Sequence, residues 1–245
     1  MSDKLVSDEQ VEALAAIAAK KREEILRGPL KPHKTCPHLP ADRAWGNLGH
    51  LSERKQGCLQ AVKDQVTQDE IDSIRNPHES PDQVCLRFLR GKNFKVPEAI
   101  ATLRAAIAWR RSFGIDRFKY MDTEQVFEGK MDLNYLVSQY PVGIKGHDRC
   151  GRPLFFKLYG RMNPSGVESI ITAREAAKWE TLNTEKMCYL FALNSAKLGY
   201  HVQEALVIID LEHLSSYKVF TSYVRNVMKY CAEYIDDNYA ESLGG

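Results

Sequence analysis

The sequence holds no run of 18 uninterrupted apolar residues, so no segment reads as a helix long enough to span a bilayer. It holds no C-x-x-C pair. Its six cysteines, Cys36, Cys58, Cys85, Cys150, Cys188 and Cys231, stand far apart, and no basic-then-apolar leader opens the chain. A reduced cytoplasmic setting is therefore expected, with any membrane contact peripheral. No charge of one sign dominates: 34 Lys and Arg face 32 Asp and Glu, for a net charge of +2. Nucleic acid, which calls for a concentrated basic face, is not an expected partner. No P-loop, dinucleotide fingerprint or nucleophile elbow occurs, and Asp210, Glu212 and His213 beside a strand end form the only tempting cluster. The chain does not read as an enzyme. His147, His201 and His213 lack ligand spacing, so neither a metal nor another cofactor is expected.

What is present is ordinary globular material, 245 residues with 44% hydrophobic and 27% charged side chains. A capping box at Ser7 and Gln10 starts a helix that ends at Gly28-Pro29, and Pro29, Pro32, Pro37 and Pro40 mark a connector. Residues 1–44 are read as this helix and connector. From Ser52 the signals thicken into short helices: Leu59, Val62 and Val66 in register, then capping boxes at Thr67 with Glu70 and at Ser80 with Gln83, the latter with Pro81 first in the helix. A longer helix runs from Pro97 to Gly114, and residues 45–114 are read as one helical lobe.

Residues 115–245 change character. Two short helical stretches near 123–138 precede a strand at Leu154–Tyr159, a helix from Thr172 to Gly199, a strand at Ala205–Ile209 and a helix carrying Phe220, Tyr223, Val227, Cys231 and Ile235. Strand, helix, strand, helix is an α/β layout with right-handed crossovers. The near-continuous apolar run Ala205–Ile209 predicts a strand buried on both faces. A two-stranded sheet would leave Val207–Ile209 with an uncovered edge prone to aggregation, and a further strand is due at Leu243-Gly244-Gly245.

Four segments carry a resemblance. Cys85–Phe94 (CLRFLRGKNF) looks like an "LLRFLRARKF" helix and turn. Tyr140-Pro141 with Asp148–Phe156 (DRCGRPLFF) looks like "YP…DKDGRPVYF". Ile208–Leu211 (IIDL) looks like "IxDL", and Asn238–Gly244 (NYAESLG) looks like "YYPERLG". In this order they resemble the CRAL-TRIO family, in particular its phosphatidylinositol and phosphatidylcholine transfer group, over about residues 45–245. The resemblance implies a helical lobe on a mixed sheet that encloses one lipid, incomplete here at its C-terminal end. It implies phosphatidylinositol or another hydrophobic ligand as partner, exchanged at a transient membrane surface. A non-transferring regulatory or interaction protein is the alternative.

The resemblance also implies site residues. The basic residue of "RARKF" falls on Lys92 and the glutamate of "YPER" on Glu241, both headgroup contacts. The choline-lipid hydroxyls of the family fall on Ile144, Phe155, Ala205 and Val207, none of which has one. With Ile209, Phe220 and Tyr223 these form the expected apolar pocket, and a second cargo less polar than a choline lipid is expected. Arg87, Arg90, Lys92, Lys95, Arg104, Arg110 and Arg111 against Glu98 leave residues 85–111 an excess of six positive charges, seven minus one. These are read either as attraction to anionic lipid or as the solvated face of helices.

Overall fold

The computed structural model describes residues 46–118, 123–215, 221–236, 238–241 and 243–244. The helix expected over 7–28 and the residue Phe220 lie outside these ranges. Four helices build the first lobe: α1 (Glu53–Lys63), α2 (Gln68–Ile74), α3 (Pro81–Gly91) and α4 (Val96–Phe113). The capping boxes at Thr67 and Ser80 form with both reciprocal bonds, and Pro81 takes the first turn of α3. Gly114 ends α4 in the left-handed conformation at φ 77°, the region that favours glycine. Val62, Val84, Leu86, Phe88, Leu89 and Leu103 fill the interior of this lobe. Residues 83–90 of α3 are buried all round, because α1, α2 and α4 pack on different sides of it.

The short helix α5 (Leu133–Gln139) leads into a four-stranded sheet: β1 (Val142–His147), β2 (Pro153–Lys157), β3 (Ala205–Ile209) and β4 (Leu243–Gly244), in that spatial order. β1 runs antiparallel to β2, and β2, β3 and β4 are parallel. The 26-residue helix α6 (Ala173–Leu198) makes the crossover, capped by Thr172 with Glu175 and ended by Gly199 at φ 73°. The helix α7 (Ser222–Cys231) packs along α6 and passes into a π-helical turn at Ala232–Asp236.

Two expectations are corrected. The sheet has four strands: β4 forms where a further strand is due and pairs with Ala205 and Leu206, while Val142–His147, not expected as a strand, turns back on β2 as a hairpin. Secondly, β3 is not buried on both faces: Ile208 is 38% and Ile209 50% exposed. One face of the sheet carries Phe155, Ala205 and Val207, which pack with Met187, Cys188 and Phe191 of α6. Lys157, on that same face by strand alternation, reaches Glu180 of α6 at 3.0 Å. Leu154, Phe156, Leu206 and Ile208 point the other way and are only half-buried or exposed.

Candidate functional site

The junction between the helical lobe and the sheet is built around α3's last turn. Asn93 and Phe94 both adopt left-handed backbone angles, φ 51° and 60°, which is costly for a phenylalanine. The turn tolerates this because Phe94 is buried in the lobe interior and its N–H donates to Leu89 O at 2.6 Å. The same turn presents Lys92, half-buried, at its outer corner. Gly91 faces the C-terminal segment so closely that a Cβ there would lie 3.7 Å from the Cβ of Ala240 and 4.0 Å from the Cγ of Glu241.

Arg90 fastens this contact. Its Nε donates to Glu241 Oε2 at 3.1 Å and its other nitrogens to Asn47 Oδ1 at 3.1 Å, Gly46 O at 3.3 Å and Gln203 Oε1 at 2.9 Å. One guanidinium thus ties α3, the segment before α1, the loop before β3 and the Glu241 turn into one unit. Gly46 allows the approach: at φ 80° its missing Cβ would sit 3.1 Å from the Arg90 side chain and from Phe94. Lys92 and Glu241 therefore belong to neighbouring turns, 149 positions apart in sequence.

Of the five arginines in residues 85–111, Arg104 and Arg111 are exposed as a solvated face would be, and the other three are turned inward. Arg87 pairs with buried Glu79 at 2.9 Å, Arg90 with Glu241, and Arg110 with buried Glu185 at 2.8 Å. Each lies on a helix face that tertiary packing closes, where a carboxylate from elsewhere in the chain offsets the charge. Burial pushes the Glu79 carboxyl up, but the nearby Arg87, then His78 and His201, outweigh it and hold it at about 2. Glu185 also accepts from the Tyr239 hydroxyl at 2.5 Å, and Tyr239 stands edge-on to Trp109.

Of the apolar residues singled out from sequence, four come together. Ile144 pairs in register with Phe155, Phe155 with Val207, and Ala205 stands two residues before Val207 on the same face. Phe155 and Ala205 are fully enclosed among α6 side chains, while Ile144 and Val207 are partly buried at the margin of that cluster. Ile209 lies at the exposed end of β3. Tyr223 lies apart, in the cluster of Leu136, Trp179 and Leu182, with its hydroxyl donating to Ile171 O at 3.0 Å. Nothing in the sequence sets Arg90 apart from the other arginines of α3 and α4, because its four partners are distant in sequence.

Comparisons agree on the fold. Residues 137–245 match the family model described as the CRAL/TRIO domain. The SEC14 cytosolic factor of Candida glabrata is 27% identical over 205 residues, covering 82% of this chain and 62% of the relative. The phosphatidylinositol/phosphatidylcholine transfer protein SFH7 of Arabidopsis thaliana is 25% identical over 178 residues, 71% of this chain and 30% of the relative. Protein real-time of Anopheles gambiae is 25% identical over 244 residues, 99% of this chain. The chain spans 30% and 33% of the length of the last two. The crystal structure of Sfh5 superposes with a TM-score of 0.51 at 14% identity, covering 99% of this chain and 70% of that one.

Proposed function

Because residues 137–245 are a CRAL/TRIO domain, we propose that the protein binds a phospholipid and carries it between membrane surfaces, with phosphatidylinositol as the preferred cargo. The observation that supports this most is the packing of the Arg90-Gly91-Lys92 turn against Ala240-Glu241. The turn that carries the Lys92 cation is thereby next to the turn that carries the Glu241 carboxylate. The Lys92 ammonium neutralises the lipid phosphate as a point charge, without the two-pronged geometry that an arginine would add. The Glu241 carboxylate, held on one oxygen by Arg90 and still 36% exposed, accepts from the inositol hydroxyls. Hydrocarbon is accommodated along the margin of the sheet at the partly buried Ile144 and Val207, next to Phe155 and Ala205, over which α6 closes. Removing some thirty methylenes from a bilayer costs roughly 25 kcal/mol, so only an apolar surface of this kind could offset it.

The test is transfer of labelled phosphatidylinositol from donor to acceptor vesicles by the full protein. Lys92→Ala and Glu241→Gln are each expected to slow transfer about tenfold, equivalent to roughly 1.4 kcal/mol, with an unchanged circular-dichroism spectrum. An uncharged lipid should be carried as before. Wild-type transfer rates in both variants would sink the proposal, and equal loss for every lipid would assign both residues to structure instead.

A further inference from the structure

A cleft of about 350 Å³ opens between the loop preceding α3 and the flank of α6; its lining takes in Ile144, Cys188 and the Arg110–Glu185 pair but neither Lys92 nor Glu241. Ile144 and Leu190 supply apolar wall, and Arg75, Arg110, Lys186 and Glu185 are its charged lining, with Lys186 Nζ also donating to Thr123 Oγ1 at 3.0 Å. Three cations against one acid leave the lining at +2, and Asp72, 2.7 Å from Arg75 Nε, offsets part of this from outside the cleft. The acid is already engaged, by Arg110 at 2.8 Å and by the Tyr239 hydroxyl. The Nε–H of Arg110 is buried and has no acceptor among the described residues. Orphaned buried donors of this strength are rare in folded proteins, and each asks for an oxygen to fill it.

Size narrows the choice. At roughly 30 Å³ per non-hydrogen group, the share one water takes in the liquid, the cleft holds about a dozen such groups. That is one short chain with a small head, far less than the two acyl chains of a phospholipid. We infer that this cleft binds a single-chain amphipathic anion, its carboxylate or phosphate on Arg110 and its hydrocarbon along Ile144 and Leu190. The site is separate from the turns at Lys92 and Glu241 and does not rest on the phospholipid reading.

Calorimetric titration of the full protein with decanoate, decyl phosphate, decanol and decyltrimethylammonium, each kept below micelle formation, tests this. Both anions should bind, decanol about tenfold more weakly, and the cation not measurably. The stronger of the two anions identifies the head as carboxylate or phosphate. Lys186→Glu, a charge reversal on an exposed helix position, should weaken decanoate by about tenfold, and Leu190→Trp, which fills the wall, should abolish it. Neither touches the Arg110–Glu185 pair, and because Lys186→Glu gives up the bond from Lys186 to Thr123 Oγ1, an unchanged thermal melt is required of each variant. Equal binding of decanol and decanoate, no decanoate binding, or an unchanged affinity in Leu190→Trp would each overturn the inference. Phosphatidylinositol transfer measured on the same preparations keeps the two sites distinct: transfer without decanoate binding rejects the cleft alone, and decanoate binding without transfer rejects the phospholipid reading alone.

Discussion

At the scale of single residues, the most consequential feature is a set of buried ion pairs that the composition does not reveal. Glu79 and Arg87, with side chains 2% and 7% exposed, lie 2.9 Å apart. Glu79 also accepts from the backbone N–H of Asn76 at 2.8 Å, which holds the loop before α3 in shape. Glu79→Ala removes one partner and leaves the guanidinium buried without its charge, an expected loss of about 3–5 kcal/mol. Exchanging both for apolar residues, Glu79→Leu with Arg87→Met, removes the stranded charge and should recover most of that. Thermal melts of the single and double variants check this. A double variant no more stable than Glu79→Ala would show that the carboxylate matters for the loop and not for the arginine.

At the scale of elements, the proposed function makes the margin of the row Ile144, Phe155 and Val207 with Ala205 the selector of cargo, since Ile144 and Val207 are only partly buried there while α6 closes over Phe155 and Ala205. These side chains offer no hydroxyl, so a phosphocholine group placed among them would leave phosphate oxygens without donors. Each such oxygen carries a penalty of about 1–3 kcal/mol, or roughly ten- to hundredfold in affinity. A sterol or isoprenoid asks for no donors and gains from the same surface. In a competition assay on the full protein, fluorescent phosphatidylcholine is expected to be displaced by such lipids and to load less than phosphatidylinositol. If it loads equally and resists displacement, donors come from other parts of the pocket. The placement of this row depends on β1, which the sequence hides: Gly143 and Gly146 interrupt it and its outward positions are exposed, so neither alternation nor an apolar run marks it.

At the scale of the whole molecule, the helical lobe and the sheet meet through His78 and His201, whose rings stack 5.1 Å apart. His78 is 4% exposed, and burial first, aided by the Arg87 charge and opposed by Glu79, pushes its ring down to about 4. Burial, then the neighbouring His78, pushes His201 down to about 3. Both folded values lie below the ordinary 6.5, so the unfolded chain binds more protons in that window. The stabilisation is complete above pH 6.5 and is lost as pH falls through 6.5 toward 4. Each histidine contributes about 1.4 kcal/mol of loss per pH unit there. Urea midpoints should therefore drop between pH 7 and pH 5.5, and His78→Phe, which keeps the stack, should lessen the drop. Equal wild-type midpoints at the two pH values would refute this account of the junction.

The helices of the first lobe, the capping boxes at Thr67, Ser80 and Thr172, the glycine stops at 114 and 199 and the strand Ala205–Ile209 were all legible in the sequence. Each depends on interactions within a few residues, where propensity and spacing carry the information. Lys92 and Glu241 were legible only as matches to a family pattern. Only the tertiary structure set their turns side by side, buried Arg87, Arg90 and Arg110 against distant carboxylates, and chose which face of β3 meets α6. Those outcomes depend on contacts between residues up to 151 positions apart, such as Arg90 with Glu241, and a guanidinium on a helix reads the same in sequence whether water or a carboxylate faces it.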